Sequence, residues 1–183
     1  MGVETEFEKV KLFAGFIYRE TDKFIEVRNR MQDIFSPVDS ESETFDFDFT
    51  TYYIREMGSP LYKKFVSFKE LIEPVRLPEI KLLTNKIENE TMASGGRVIN
   101  IDPGYLSTAN VILATTKNHY HRVPIQQGIY AHIEYVIKKK NTLTPLEWTY
   151  PDFRTSSYME FFKELILLYK KNLKGEFPSR ENK

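Results

Sequence analysis

Hydrophobic and polar positions in this chain switch between a period of two and a period near 3.6. Residues 9–18, Lys-Val-Lys-Leu-Phe-Ala-Gly-Phe-Ile-Tyr, begin by alternating and become mostly apolar, the pattern of a buried strand. Gly15 inside it marks a bulge or a close backbone approach. Thr21 or Asp22 then offers a cap, and Phe24, Val27, Arg28, Met31, Ile34 and Phe35 follow at helical spacing until Pro37 ends the run. Over residues 44–50, Phe45, Phe47 and Phe49 alternate with Asp46, Asp48 and Thr50, which predicts a strand with its phenylalanines toward the core. Its outer carboxylates suit either a metal or the solvated face of an antiparallel sheet. Residues 51–58 read as an irregular connector and 61–68 as a strand. Pro78 fits the first turn of a helix carrying Ile80, Leu83 and Ile87 on one face, and Gly95-Gly96 ends that unit. A fourth strand reads from Arg97 to Asp102, and Asp102-Pro-Gly-Tyr105 is expected to break it sharply.

The order strand, helix, strand, strand, helix, strand is the split βαβ pattern, so the fold class expected is α+β with a ferredoxin-like βαββαβ core. Three further strands, at 109–116, 119–124 and 128–139, extend the sheet as an antiparallel β-meander. Residues 142–154 read as a loop, and a C-terminal helix opens at a capping box, Ser157-Tyr-Met-Glu160. It buries Tyr158, Phe161, Phe162, Leu165, Leu168 and Tyr169. No linker or repeat interrupts residues 1–183, which predicts one domain with frayed polar tails at about 1–8 and 175–183.

Composition narrows the functional classes. Basic and acidic residues balance at 26 each, so the broad positive face that grips duplex nucleic acid or anionic lipid is not expected. With no cysteine, disulfides, thiolate zinc sites and cysteine nucleophiles are excluded. The acidic N-terminus lacks the pattern of a signal peptide, and no run approaches the ~20 apolar residues of a membrane span. A cytoplasmic protein without membrane contact is expected.

All three histidines lie between Arg97 and Glu134. With Gln126-Gln127 as a two-residue hairpin tip, Val123 opposes Tyr130, His121 opposes His132 and His119 opposes Glu134. His119, His121, His132 and Glu134 then share one face, with facing Cβ atoms about 5 Å apart, close enough to share a divalent metal, the candidate cofactor. A three-residue turn or a bulge at Pro124 would instead pair His132 with Tyr120 or Arg122, and a hydrogen-bonded sheet face explains the same residues without a metal. Beside this face, Asp102 stands at a strand end as a functional carboxylate or an Asx-turn cap. Thr115-Thr-Lys117 supplies hydroxyls and an ammonium for an anion. Trp148-Thr-Tyr-Pro-Asp-Phe-Arg154 presents aromatic surface with Asp152 and Arg154, as a small-molecule wall or as a loop pinned to the core.

Asn100-Ile-Asp-Pro-Gly-Tyr-Leu106, Thr115-Thr-Lys117, His121-Arg122, Gly128-Ile-Tyr-Ala131 and Trp148–Arg154, with Tyr53–Gly58 and Phe65–Phe68 upstream, resemble a bacterial family catalogued as domain of unknown function 4416. The resemblance covers nearly the whole chain and implies no activity. The family pattern carries an acidic residue where this chain has His132, and His119 lies outside it. The residues that match best, Asp102, Tyr105, Lys117, His121, Arg122, Tyr130, Asp152 and Arg154, form the expected pocket. The function expected is binding of a small anionic, nucleotide- or phosphate-like ligand. The alternatives are a divalent-metal-dependent hydrolase or phosphoryl-transfer enzyme and, third, an RNA or protein interaction module.

Overall fold

β1 (Val10–Tyr18) is the axis of the molecule, with all nine of its residues buried. The computed structural model describes residues 2–93 and 96–176. In chain order, β1 is followed by α1 (Thr21–Ile34), β2 (Val38–Glu41), β3 (Phe45–Asp46), the single-turn α2 (Ile54–Met57) and β4 (Tyr62–Ile72). Then come α3 (Leu77–Glu90), β5 (Ile99–Leu106), β6 (Asn110–Thr115), β7 (Val123–Gln126), β8 (Ile129–Lys138), β9 (Thr142–Pro145) and α4 (Ser156–Glu176). The strands form one sheet in the order β2-β4-β1-β5-β6-β8-β7, with β3 also on β4 and β9 also on β8. Each pair is antiparallel. None of the described helices is long and apolar enough to cross a membrane.

Strand alternation divides the core between the two faces of this sheet. On one face, Leu12, Ala14, Phe16 and Tyr18 of β1 pack with Phe24, Val27 and Met31 of α1 and Ile80 and Ile87 of α3. On the other, Phe13, Phe65 and Leu113 pack with Phe161, Phe162 and Leu165 of α4. Phe65 touches four rings there, Phe153, Tyr158, Phe161 and Phe162, a position where truncation to alanine costs on the order of 3–5 kcal/mol. Gly15 is a close approach: a Cβ there would lie 3.0 Å from the Phe65 ring. Pro78 takes the first turn of α3, where its missing N–H costs nothing.

Several expectations need correcting. The phenylalanine strand is only two residues long. Phe47 makes the last ladder bond, to Leu61 O, and residues 48–50 join no strand. Phe47 stays buried, Phe49 is exposed at 41%, and Asp46 and Asp48 face solvent. The extension is not a simple meander, because β6 pairs with β8 and leaves β7 at the edge. The other side of the ten-residue β8 is shared by β7 and by β9, a strand inside the expected loop. The cap of α4 is Thr155, whose Oγ1 accepts from Tyr158 N, rather than Ser157. Residues 177–183, Gly95 and Met1, on which the tail and helix-end expectations fall in part, lie outside the described residues.

The largest departure positions the site. β5 does not break at Asp102-Pro-Gly-Tyr105 but runs unbroken beside β1. It pairs with β6 only at Gly104–Leu106, opposite Leu113–Val111. Contact there is tight, since a Cβ on Gly104 would collide with the carbonyl of Ile112 and the ring of Phe13. Toward Ile99 the strands diverge, leaving the β6-facing backbone of β5 without a strand partner. α3 supplies the partners instead: Glu88 Oε1 accepts from Ile101 N at 2.8 Å, and Lys81 Nζ donates to Ile101 O at 2.8 Å. Pro103 points its missing N–H to the same unpaired side, so a proline sits in a central strand without losing a bond.

Candidate functional site

The fork between β5 and β6 opens into a cleft of about 680 Å³. Its floor is the end of the sheet's α4 face that lies beyond the helix. Ile17, Lys63, Asn100, Asp102, Thr115 and His132 project there from five adjacent strands. α3 reaches in through the fork with Lys81, Asn85, Glu88 and Asn89, a polar stripe at helical spacing. The walls are aromatic: Phe47, Phe49, Tyr52 and Tyr53 on one side, Tyr150 on the other.

A buried polar network organises the floor. Arg97 donates to Asn100 Oδ1 at 2.6 Å, and Asn100 donates to Asp102 Oδ2 at 2.8 Å. Arg97 lies 3.3 Å from Glu88, and Lys81 lies 3.7 Å from Asp102. Burial pushes the Glu88 carboxyl up to about 7, against the pull of Lys81, the Ile101 N–H and Arg97. Burial also holds the Tyr53 hydroxyl well above the ordinary phenol range, so it remains a donor. Deeper in, Lys63 pairs with Asp152 at 3.0 Å, enclosed by the rings of Phe47, Phe65, Phe153 and Tyr158.

The histidines form a second structure beside this cleft. The hairpin turns at Gln127-Gly128, both with positive φ, rather than at Gln126-Gln127. A bulge then pairs Pro124 with Tyr130 and Val123 with Ala131, and the strand ends at Val123. Extending this register places Arg122, not His121, opposite His132. Residues 119–122 form a turn closed by Arg122 N to His119 O at 3.0 Å. That turn nevertheless brings the imidazoles end to end. His119 Nδ1 is 2.9 Å from His121 Nδ1, His121 Nε2 is 3.1 Å from His132 Nδ1, and His132 Nε2 is 3.0 Å from Glu134 Oε1. The last contact lacks hydrogen-bond alignment, and neither atom has another partner among the described residues. Glu134, the extra residue of a bulge against β6, is fully buried. Burial pushes its carboxyl up, opposed by His132.

Arg122 fixes the chemistry of this ladder. Its Nε donates to His132 Nδ1 at 3.3 Å, and a guanidinium can only donate, so neutral His132 carries its proton on Nε2. Burial, then the neighbouring His132, His119 and Arg122, lower the pKa of His121. The remaining bonds of Arg122 go to Lys117 O at 2.8 Å and Tyr150 Oη at 2.7 Å. Tyr150 is further held by stacking on His132 and by its N–H to Glu134. Trp148 stacks on His121. The ladder is a linear chain of pairwise contacts, not a convergent ligand set. Among the described residues, no group of three or more His, Cys, Asp or Glu is placed to hold a metal ion.

The expected pocket residues therefore divide. Asp102, Lys117 and Asp152 line the cleft, as does His132 from the expected metal set. His121 and Arg122 brace its rim. Tyr130 sits opposite Thr115. Tyr105 packs into the core on the other face of the sheet. Arg154 donates to the carbonyls of Leu146, Glu147 and Thr149 and pins the 146–154 loop. Lys63, Lys81, Glu88 and Arg97 were not anticipated, whereas Tyr150 belongs to the Trp148–Arg154 stretch read as aromatic surface. The polar positions 81, 85, 88 and 89 on an otherwise amphipathic helix were the available signal for two of them.

Fold and site together define an α+β protein with a large antiparallel sheet and a polar, aromatic-walled cleft at a strand fork. The chain belongs to the family described as Domain of unknown function (DUF4416), whose model matches residues 8–169 of 183. No curated protein and no solved structure matches it.

Proposed function

We propose that the cleft at the β5–β6 fork binds a small anionic ligand with a planar body. The observation that carries this reading is the lining. Four cations, Lys63, Lys81, Arg97 and Lys117, face three carboxylates, Glu88, Asp102 and Asp152, between aromatic walls. Glu88, pushed up to about 7, gives up part of its negative charge near neutral pH, which raises the positive excess. The cavity falls within the roughly 300–1,000 Å³ typical of small-molecule sites. A thermal-shift screen with nucleotides, phosphorylated metabolites and aromatic carboxylates tests it. Stabilisation by a member of that set, reduced in Lys117→Ala, is expected; stabilisation by none contradicts it.

Glu88 also supports a second reading, acid–base chemistry such as hydrolysis or phosphoryl transfer on a ligand in the same cleft. A carboxyl titrating near neutrality beside two cations is suited to a general base. A phosphate-ester hydrolysis rate that rises through about pH 7 and is lost in Glu88→Gln is expected on that reading; rates equal in both proteins contradict it. The β2-β4-β1-β5 order, with α1 and α3 packed on one face, supports reading the first half of the fold as ferredoxin-like. The absence of cysteine supports a cytoplasmic setting.

A further inference from the structure

The cations of the cleft differ in what already occupies them. Lys63 is paired with Asp152 at 3.0 Å, and Lys81 with Asp102 at 3.7 Å while also donating to Ile101 O. Arg97 lies 3.3 Å from Glu88 and 3.6 Å from Glu56. Among the described residues, Lys117 is the one cleft-lining cation without a carboxylate in ion-pair reach. Its Nζ lies 4.2 Å from the Tyr52 ring centroid, and both residues are exposed at the mouth, beside the exposed Thr116. The interior is different: Lys63, Lys81, Glu88 and Asp152 are all buried, and each lies within ion-pair reach of an opposite charge.

This gradient restricts the orientation of the ligand. One anionic group meets an unopposed ammonium at the mouth. A second or third charge carried inward would approach Asp102, Glu88 or Asp152, or would have to displace one of them from its buried partner, which is strongly unfavourable. An uncharged planar body meets no such penalty. Tyr53 and Tyr150 line its path with aromatic surface, and Asn85, half-buried on α3, has a carboxamide without a partner among the described residues. A carboxamide donates and accepts side by side, which matches the hydrogen-bonding edge of a nucleobase.

We infer that the cleft, on the anion-binding reading above, binds a nucleoside phosphate through a single phosphate, with the base inward and any further phosphates outside the mouth. The phosphate docks against Lys117 and Thr116 at the mouth, and the base inserts toward Asn85. Arg122 is a positioning residue in this arrangement. Its guanidinium is committed to the Lys117 carbonyl, the Tyr150 hydroxyl and His132, so it holds both sides of the mouth without touching the ligand.

Isothermal titration calorimetry in magnesium-free buffer, with the four common ribonucleosides and their 5′-mono- and triphosphates, tests the assignment. The expected result is that at least one monophosphate binds more tightly than its nucleoside, and that its triphosphate binds about as tightly as the monophosphate because the added phosphates extend outward from the mouth. Lys117→Ala, an exposed position that leaves the fold intact, removes about tenfold to hundredfold of the monophosphate affinity and equalises it with the nucleoside. Asn85→Ala weakens nucleoside and monophosphate by the same factor. A monophosphate that binds no more tightly than its nucleoside overturns the inference, as does a preference for the monophosphate over the nucleoside that survives in Lys117→Ala. Inorganic phosphate and 4-hydroxybenzoate serve as controls. Binding of either one at Lys117, with no nucleotide bound, overturns the nucleotide assignment and leaves the anion site standing; no binding by any probe removes both.

Discussion

The floor of the cleft and the histidine ladder lie side by side on one sheet, yet they use polar residues in opposite ways. In the ladder, most polar atoms are committed to a neighbour, imidazole to imidazole, Arg122 to three acceptors and Glu134 to the Tyr150 N–H, with His132 Nε2 and Glu134 Oε1 left facing each other at 3.0 Å. At the fork, polar groups replace a missing strand and leave open space above them, with Lys117 lacking a carboxylate and Asn85 lacking a side-chain partner among the described residues. A dense cluster of chemically attractive residues is thus a brace, and the neighbouring gap in β pairing is the candidate site. Proximity of functional side chains matters less than whether their donors and acceptors are already satisfied.

The contrast can be broken most forcefully at Lys63. Truncation in Lys63→Ala strands the buried Asp152 carboxylate, which costs on the order of 4 kcal/mol by urea denaturation. A Lys63→Met/Asp152→Leu double variant recovers most of that loss, since it removes both charges; no recovery would show that the pair does more than neutralise itself. Glu88 gives the next effect. Its carboxyl is raised in the folded protein, so folding binds a proton that the unfolded chain releases, and stability falls as pH rises from about 4.5 to about 7. The decline attributable to Glu88 is on the order of 3 kcal/mol, and thermal melts of Glu88→Gln across that window are expected to flatten by a comparable amount. A profile as steep as that of the parent protein would place the proton elsewhere.

Arg122 links the two regions and ranks third. Arg122→Ala removes charge-assisted bonds at the rim and is expected to cost about 2 kcal/mol of stability, with ligand affinity falling through the loosened Lys117 and Tyr150. Lys at this position is expected to rescue little, because one ammonium cannot span three acceptors. His119, the exposed end of the ladder, gives the smallest effect. His119→Ala is expected to shift stability by less than about 0.5 kcal/mol and ligand affinity not at all. A large loss there would mean that the ladder is a working site rather than a brace.

Much of the frame was readable from the chain. β1, α1 and α3 followed from period, because burial on one face imposes the pattern directly, whereas the cap of α1 did not: its N-cap is Glu20, without a side-chain cap bond, rather than Thr21 or Asp22. The bulge that could shift the histidine register was among the readings at Pro124, yet contact between the histidines survived the shift because a turn brought His121 back to His132. The fork was not readable. Asp102-Pro-Gly-Tyr105 looks like a break when the neighbouring strand is unknown, and only the α3 side chains that complete β5 show why proline is tolerated there. Lys63 on β4, Lys81 on α3, Arg97 before β5 and Tyr150 in the loop after β9 lie far apart in sequence and share no local period, so only the packing of helix and loop onto the sheet brings them together.

An amide NMR titration of the ¹⁵N-labelled protein with nucleoside monophosphates most directly separates the two regions. Shift changes centred on residues 100–102, 115–117 and 150–152, with the 123–129 hairpin unmoved, are the predicted result. Changes centred on the hairpin and histidine turn, with the fork silent, would contradict the assignment of the site to the β5–β6 cleft.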